Sequence, residues 1–255
     1  MGDGDHRGGA NPRRDESAPQ RSEERWIDEG RSDGAPRRRA PEPTRKPGQR
    51  PPVELSDVGG LTVAERRRLT RQLSEAADDF ANERWEEAKR ILTPLASRHA
   101  AVAEVRELHG LTLYRLGRWA QAISELEVFG EMSGSADQLP VLADCHRALG
   151  DHDRVAELWE ELREWSPDGD IVTEGRIVAA GSLADQGELR SALRLLEKGP
   201  TRPKRVKPST LRLWYAIGDL QERAGDVPAA RTTFERLASH EADFGDVADR
   251  LAALS

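Results

Sequence analysis

Asp144-Cys145-His146 sets a thiol between a carboxylate and an imidazole, the residue types of a nucleophile beside its base. Adjacent helical residues project about 100° apart, so Cys145 and His146 would not face each other. The triplet reads better as a small buried cysteine next to an edge histidine. Glu157, Glu160, Glu161 and Glu164 could pair carboxylates for acid–base work, but Arg154 and Arg163 at helical spacing make them a solvated helix face. His6, His99, His109, His146, His152 and His240 include no pair at helical metal spacing with a carboxylate between. No glycine-rich phosphate loop carries its lysine, and one cysteine excludes an internal disulfide framework. The expectation is a chain without catalytic site, cofactor or metal: not an enzyme.

Charge offers binding chemistry instead. Residues 31–50 hold seven basic and two acidic side chains, Arg37-Arg38-Arg39 among them, and such a segment can hold nucleic acid or an acidic protein by charge. A second cluster lies at Lys198-Gly199-Pro200-Thr201-Arg202-Pro203-Lys204-Arg205-Val206-Lys207-Pro208, where three prolines are expected to forbid helix. Arg202, Lys204, Arg205 and Lys207 form its basic patch. The acidic balance resides elsewhere: residues 61–255 carry 27 basic against 34 acidic groups. That balance disfavours non-specific phosphate binding by the body of the chain.

The elements that must position these residues divide at about residue 60. Residues 1–60 contain eight of the 15 prolines, nine of the 22 glycines and one aromatic, Trp26, so they cannot bury enough apolar surface to order and are expected to be a disordered tail. From Thr62 the periodicity turns helical. Thr62 and Glu65 fit a capping box, and Leu69, Leu73, Ala76, Ala77 and Phe80 share one stripe. Gly117, Gly150, Gly187 and Gly225 each precede a small or aliphatic residue by five positions, Ala122, Val155, Ala192 and Ala230. Four positions further come Leu126, Trp159, Leu196 and Phe234. A degenerate copy has Glu83, Ala88 and Leu92. Two amphipathic helices joined by about three residues must fold back on each other, since each has one stripe to bury.

These five copies resemble tetratricopeptide repeats, most closely in the last, where Trp214-Tyr215-Ala216-Ile217-Gly218 leads to Gly225-Asp226-Val227 and then Ala230, Phe234 and Leu237. Met132-Ser133-Gly134 and Leu139-Pro140-Val141-Leu142-Ala143-Asp144-Cys145 resemble an uncharacterised actinobacterial group of such proteins. The resemblance implies an all-α, right-handed superhelical solenoid of five helix-turn-helix hairpins at roughly 69–100, 103–134, 136–167, 173–199 and 211–242, within a domain spanning 61–255. A capping helix over 243–254 would bury Val247, Leu251 and Leu254 and turn Asp246, Asp249 and Arg250 outward. Small residues at Ala76, Gly110, Ala143, Ala180 and Gly218 would let paired helices approach, and the large residue of each second helix would fill the gap to the next repeat. Trp85, Trp119, Trp159 and Trp214 should be core, and Trp165 should cover a helix end.

In such arrays the first helix of each pair lines the concave face. The repeat frame places Glu104, Glu107, Tyr114, Arg115, Asp144, Arg147, Arg212, Tyr215, Asp219, Glu222 and Arg223 there, a lining of both charge signs that suits a peptide or helix of a protein partner. The positions that would clamp a chaperone's terminal carboxylate read Leu73, Ala77, Leu108, Asp137 and Val141, so that clamp is missing. The expected function is a non-catalytic interaction scaffold; the alternative is a nucleic-acid-associated adaptor using the Arg-rich tail and the basic insert. No apolar run approaches the ~20 residues of a membrane span, and the N-terminus has no secretory apolar region, so a soluble cytoplasmic bacterial protein is expected.

Overall fold

A computed structural model describes Leu55, residues 60–165 and residues 167–254. Apart from Leu55 and Gly60, the expected tail over 1–60, with Trp26 and Arg37–Arg39, lies outside the described residues.

Among the described residues the fold is all-α, with eleven helices. They pair as α1 (Val63–Ala81) with α2 (Trp85–Arg98), α3 (Ala103–Arg115) with α4 (Trp119–Ser133), α5 (Leu139–Ala148) with α6 (His152–Trp165), α7 (Gly169–Asp185) with α8 (Leu189–Glu197), and α9 (Pro208–Arg223) with α10 (Val227–His240); α11 (Val247–Ala253) follows. Thr62 starts the array as expected: its hydroxyl accepts from the Glu65 N–H while the Glu65 carboxylate accepts from the Thr62 N–H at 2.8 Å.

One device makes every hairpin. The middle residue of each three-residue turn is left-handed: Glu83 (φ 59°), Gly117 (67°), Gly150 (77°), Gly187 (83°) and Gly225 (81°). The next N–H then bonds back to a carbonyl of the first helix: Arg84 to Asp79, Arg118 to Leu113, Asp151 to His146, Glu188 to Leu183 and Asp226 to Gln221, all at 2.9 Å. That bond satisfies a carbonyl left free at the helix end and fixes the reversal. The degenerate first copy therefore keeps the glycine's backbone without the glycine. Glu83 is the only non-glycine with positive φ among the described residues, a conformation that costs a side chain about 1–2 kcal/mol.

Close approach within the hairpins explains two further glycines. A Cβ on Gly110 would come within 2.7 Å of the Leu126 side chain, and one on Gly218 within 2.7 Å of the Phe234 ring. Leu126 and Phe234 thus seat on the small residue of their own hairpins, while Trp159 packs on Gly175 and Ala179 and Leu196 on Leu213 and Ala216 of the next repeat, as expected. Other residues also fill the inter-repeat seam: Val102 and Val105 join the core of the first hairpin, and Val178 packs with Leu142, Val155 and Leu158.

Three expectations need correcting. Pro208 does not belong to the loop; it is the first residue of α9, where its missing N–H costs nothing. The loop before it is pinned, because the Thr201 carbonyl accepts from Trp214 Nε1 at 2.9 Å and from Arg236 Nη2 at 2.7 Å. In α11, Arg250 points inward over Tyr215 and Phe234 rather than outward, because it lies one turn beyond Asp246 on the face that meets α9. Trp159 and Trp214 are core, Trp85 and Trp119 are half-buried, and Trp165, at the end of α6, is 57 % exposed.

Candidate functional site

The first helices of successive hairpins lie side by side, so residues one repeat apart become neighbours. The Tyr114 hydroxyl on α3 donates to Asp144 Oδ2 on α5 at 2.9 Å. Asp144 Oδ1 accepts from Arg147 Nη1 at 2.7 Å, and Arg147 Nε donates to Asp185 Oδ2 on α7 at 2.8 Å. A Cβ on Gly181 would sit 3.1 Å from Arg147 Nε, so bare α7 backbone provides the seat for this guanidinium. Farther along, Arg212 on α9 bonds Glu174 on α7, and Arg223 Nη2 donates to the Ala184 carbonyl at 3.3 Å. At the end, the Tyr215 hydroxyl donates to Asp246 at 2.8 Å, while Arg250 reaches Asp219 at 2.7 Å and Glu222 at 3.0 Å. At the start, Glu107 accepts from Gln138 Nε2 at 2.8 Å.

These pairs set the electrostatics of the face. Burial raises the Asp144 pKa, with Arg147 and the Tyr114 hydroxyl opposing it; burial beside Asp144 also raises Tyr114. Burial likewise raises Tyr215, and Glu107 rises through burial against the hydrogen bond from Gln138. Of the residues expected on the partner face, Tyr114, Asp144, Arg147 and Tyr215 are buried; the first three bond across neighbouring repeats and Tyr215 bonds the closing helix. Arg115 and Arg223 are exposed, and Glu104, Glu107, Arg212, Asp219 and Glu222 are half-buried. Asp185, Glu174, Gln138, Asp246 and Arg250 are partners that sequence reasoning did not assign. Their signal was spacing: Arg147 to Asp185 and Glu174 to Arg212 are both 38 residues, close to the repeat period of that part of the chain.

The candidate chemistry of Asp144-Cys145-His146 is not assembled. Cys145 is fully buried and burial pushes its thiol pKa up, away from the thiolate. His146 Nδ1 lies 3.0 Å from Asp151 Oδ2, across the turn. The Glu face of α6 pairs as expected, Arg154 with Glu157 and Arg163 with Glu160. In the basic patch, Lys207 Nζ bonds Asp170 Oδ2 at 2.7 Å. Arg202, Lys204 and Arg205 are exposed. Among the described residues there is no cluster of three metal-ligating side chains, and no helix is long and apolar enough to cross a membrane.

The tetratricopeptide-repeat family model matches residues 73–128 and 178–246, the two blocks either side of α5 and α6. Both matched blocks are tetratricopeptide repeats. Among solved structures the chain is similar to a thermophilic repeat protein of Thermus thermophilus, at 14 % identity and TM-score 0.55, over 73 % of this chain and 98 % of that one. It is also similar to a protein of nearly identical repeats from Podospora anserina, at 17 % identity and TM-score 0.54, over 68 % of this chain and 93 % of that one. Identities this low speak for the fold. No curated protein matches the sequence.

Proposed function

We propose that the chain is a non-catalytic interaction scaffold that captures a peptide or helix of a protein partner on the face lined by α3, α5, α7 and α9. The observation that carries this reading is the side-chain bracing of that face from Tyr114 to Arg250. A face already locked by its own hydrogen bonds loses little conformational entropy when a partner docks. The half-buried or exposed side chains that face offers are Glu104, Glu107 and Arg115 toward one end and Arg212, Asp219 and Arg223 toward the other. The kinship with an actinobacterial group, read from residues 132–145, belongs to this proposal and adds no partner to it.

The buried tyrosines are poor probes, since removing them would loosen the array. Arg115→Glu changes an exposed charge outside the bracing. Affinity capture with the full chain from its source cells should recover partners that this variant loses while its melting temperature is kept. Identical partner sets would overturn the reading. A second reading, association with nucleic acid, is favoured by the exposed Arg202, Lys204 and Arg205. It predicts capture that weakens steeply with salt and is lost in an Arg202→Ala/Lys204→Ala/Arg205→Ala variant.

A further inference from the structure

On the side away from that face, α4 and α6 are separated by a cleft of about 340 Å³ whose floor is Leu126, Phe129, Leu139, Leu142 and Leu158. Its rim carries three carboxylates, Glu127, Glu131 and Glu161, none of which has an ion-pair partner among the described residues. The one cation on the rim, Arg154, is engaged by Glu157 on its own helix. Arg154, Leu158 and Glu161 lie on one stripe of α6, and at 3.6 residues per turn that stripe continues to Trp165, one helical turn farther. Trp165 is 57 % exposed, the most exposed tryptophan among the described residues. The cleft thus offers an apolar floor, a negative rim and an open indole at one end.

Residues 36–52 of the same chain have the complementary composition. They contain six prolines, six basic residues (Arg37, Arg38, Arg39, Arg45, Lys46 and Arg50) and one acidic residue, Glu42. Proline-rich segments favour an extended left-handed helix, and aromatic-lined grooves bind that form because little entropy remains to be lost. The geometry is permissive. Antiparallel pairing puts the start of α1, the ends of α4 and α6 and the start of α5 on one edge of the array. Leu55 packs against the core of the first hairpin on α1, α2 and α3, which fixes where the segment enters. From there the chain advances about 3.1 Å per residue in the extended form, while packed helices are about 8–10 Å apart, so residues 36–50 can reach across two or three helices.

We infer that the Pro/Arg-rich segment 36–52 docks in its own chain's α4/α6 cleft, with arginines on Glu127, Glu131 and Glu161 and proline against Trp165. This inference uses none of the side chains assigned to the proposed partner, although α5 contributes to both surfaces.

The test uses the full chain with a nitroxide on an Ala40→Cys variant; Cys145 is buried and does not react. Amide signals of Gly130, Glu131 and Trp165 should lose most of their intensity at low salt and recover in about 1 M salt, where screening shortens to roughly 3 Å. Glu127→Arg/Glu131→Arg/Glu161→Arg should abolish the loss, and adding Arg37→Glu/Arg38→Glu/Arg39→Glu should restore it. The tail triple variant alone changes no residue of the repeat array, so it serves as the check if the cleft variant unfolds: it too must abolish the loss. Undiminished signals in the labelled parent overturn the inference. So does attenuation that appears only when labelled chain is mixed with a separate isotope-enriched chain, which would assign the cleft to a second copy.

Discussion

Arg250 on the closing helix donates to Asp219, 31 residues earlier, at 2.7 Å, and lies 5.2 Å from the centroid of the Tyr215 ring. The same guanidinium reaches Glu222 and Asp246, so one side chain collects three carboxylates and stacks on an aromatic ring. The short helix has Val247 as its one fully buried residue and packs Leu251 and Leu254, partly buried, against the last hairpin. The arginine adds to what fastens α11 there, and the helix works as a cap through charge as well as burial.

Arg250→Met should accordingly act locally. Charge-assisted hydrogen bonds lost from a partly buried cluster cost about 2–3 kcal/mol. In a repeat array each unit chiefly contacts its neighbours, so native-state hydrogen exchange should show lost protection in α10 and α11 with α3 to α6 unchanged. Uniform loss along the whole chain would mean that the cap does not act as a separate unit.

The hairpins were legible in the sequence because turn chemistry and periodicity are local. Gly117, Gly150, Gly187 and Gly225 stand where a left-handed residue is required, and Thr62 with Glu65 announces the first helix. Tyr114, Asp144, Arg147 and Tyr215 were correctly placed on the first helices, but their partners were not, because a pair such as Arg147 and Asp185 depends on how two repeats are stacked. Arg250 was turned the wrong way for the same reason. Helical periodicity puts it at the flank of the Val247 stripe, and the neighbouring carboxylates of α9 decide that its guanidinium turns inward.

The approach of α9 and α10 has a single-residue test. A Cβ on Gly218 would fall 2.7, 2.8 and 3.0 Å from three Phe234 ring atoms, a contact that requires the ring to move. Overpacking of this kind costs about 1–3 kcal/mol. Gly218→Ala should lower the unfolding free energy by that amount, and Phe234→Leu should rescue part of it, recreating the Ala-with-Leu pairing of Ala180 and Leu196. A chemical-denaturation double-mutant cycle reads the coupling, expected at about 0.5–3 kcal/mol. Strict additivity would show that the ring and the glycine do not govern each other.

The Tyr114–Asp144–Arg147–Asp185 chain makes a prediction in pH. Arg147→Met removes the cation that opposes the burial of Asp144, leaving a carboxylate held by the Tyr114 hydroxyl alone. Breaking a buried pair on one side costs about 3–5 kcal/mol. The Asp144 pKa is already raised by burial and should rise further in the variant. A carboxyl whose folded pKa exceeds its unfolded value of about 3.9 favours folding when protonated, and that advantage is lost as pH climbs through the folded value. Melting temperatures of the parent and Arg147→Met should therefore differ least near the unfolded pKa of Asp and diverge as pH rises toward neutrality. Arg147→Met with Asp144→Asn should recover most of the neutral-pH loss, because the amide keeps an acceptor for Tyr114 and carries no charge. A deficit constant across the pH range, or no recovery in the double variant, would place the cost in lost packing of the Arg147 side chain over Gly181 rather than in the stranded carboxylate.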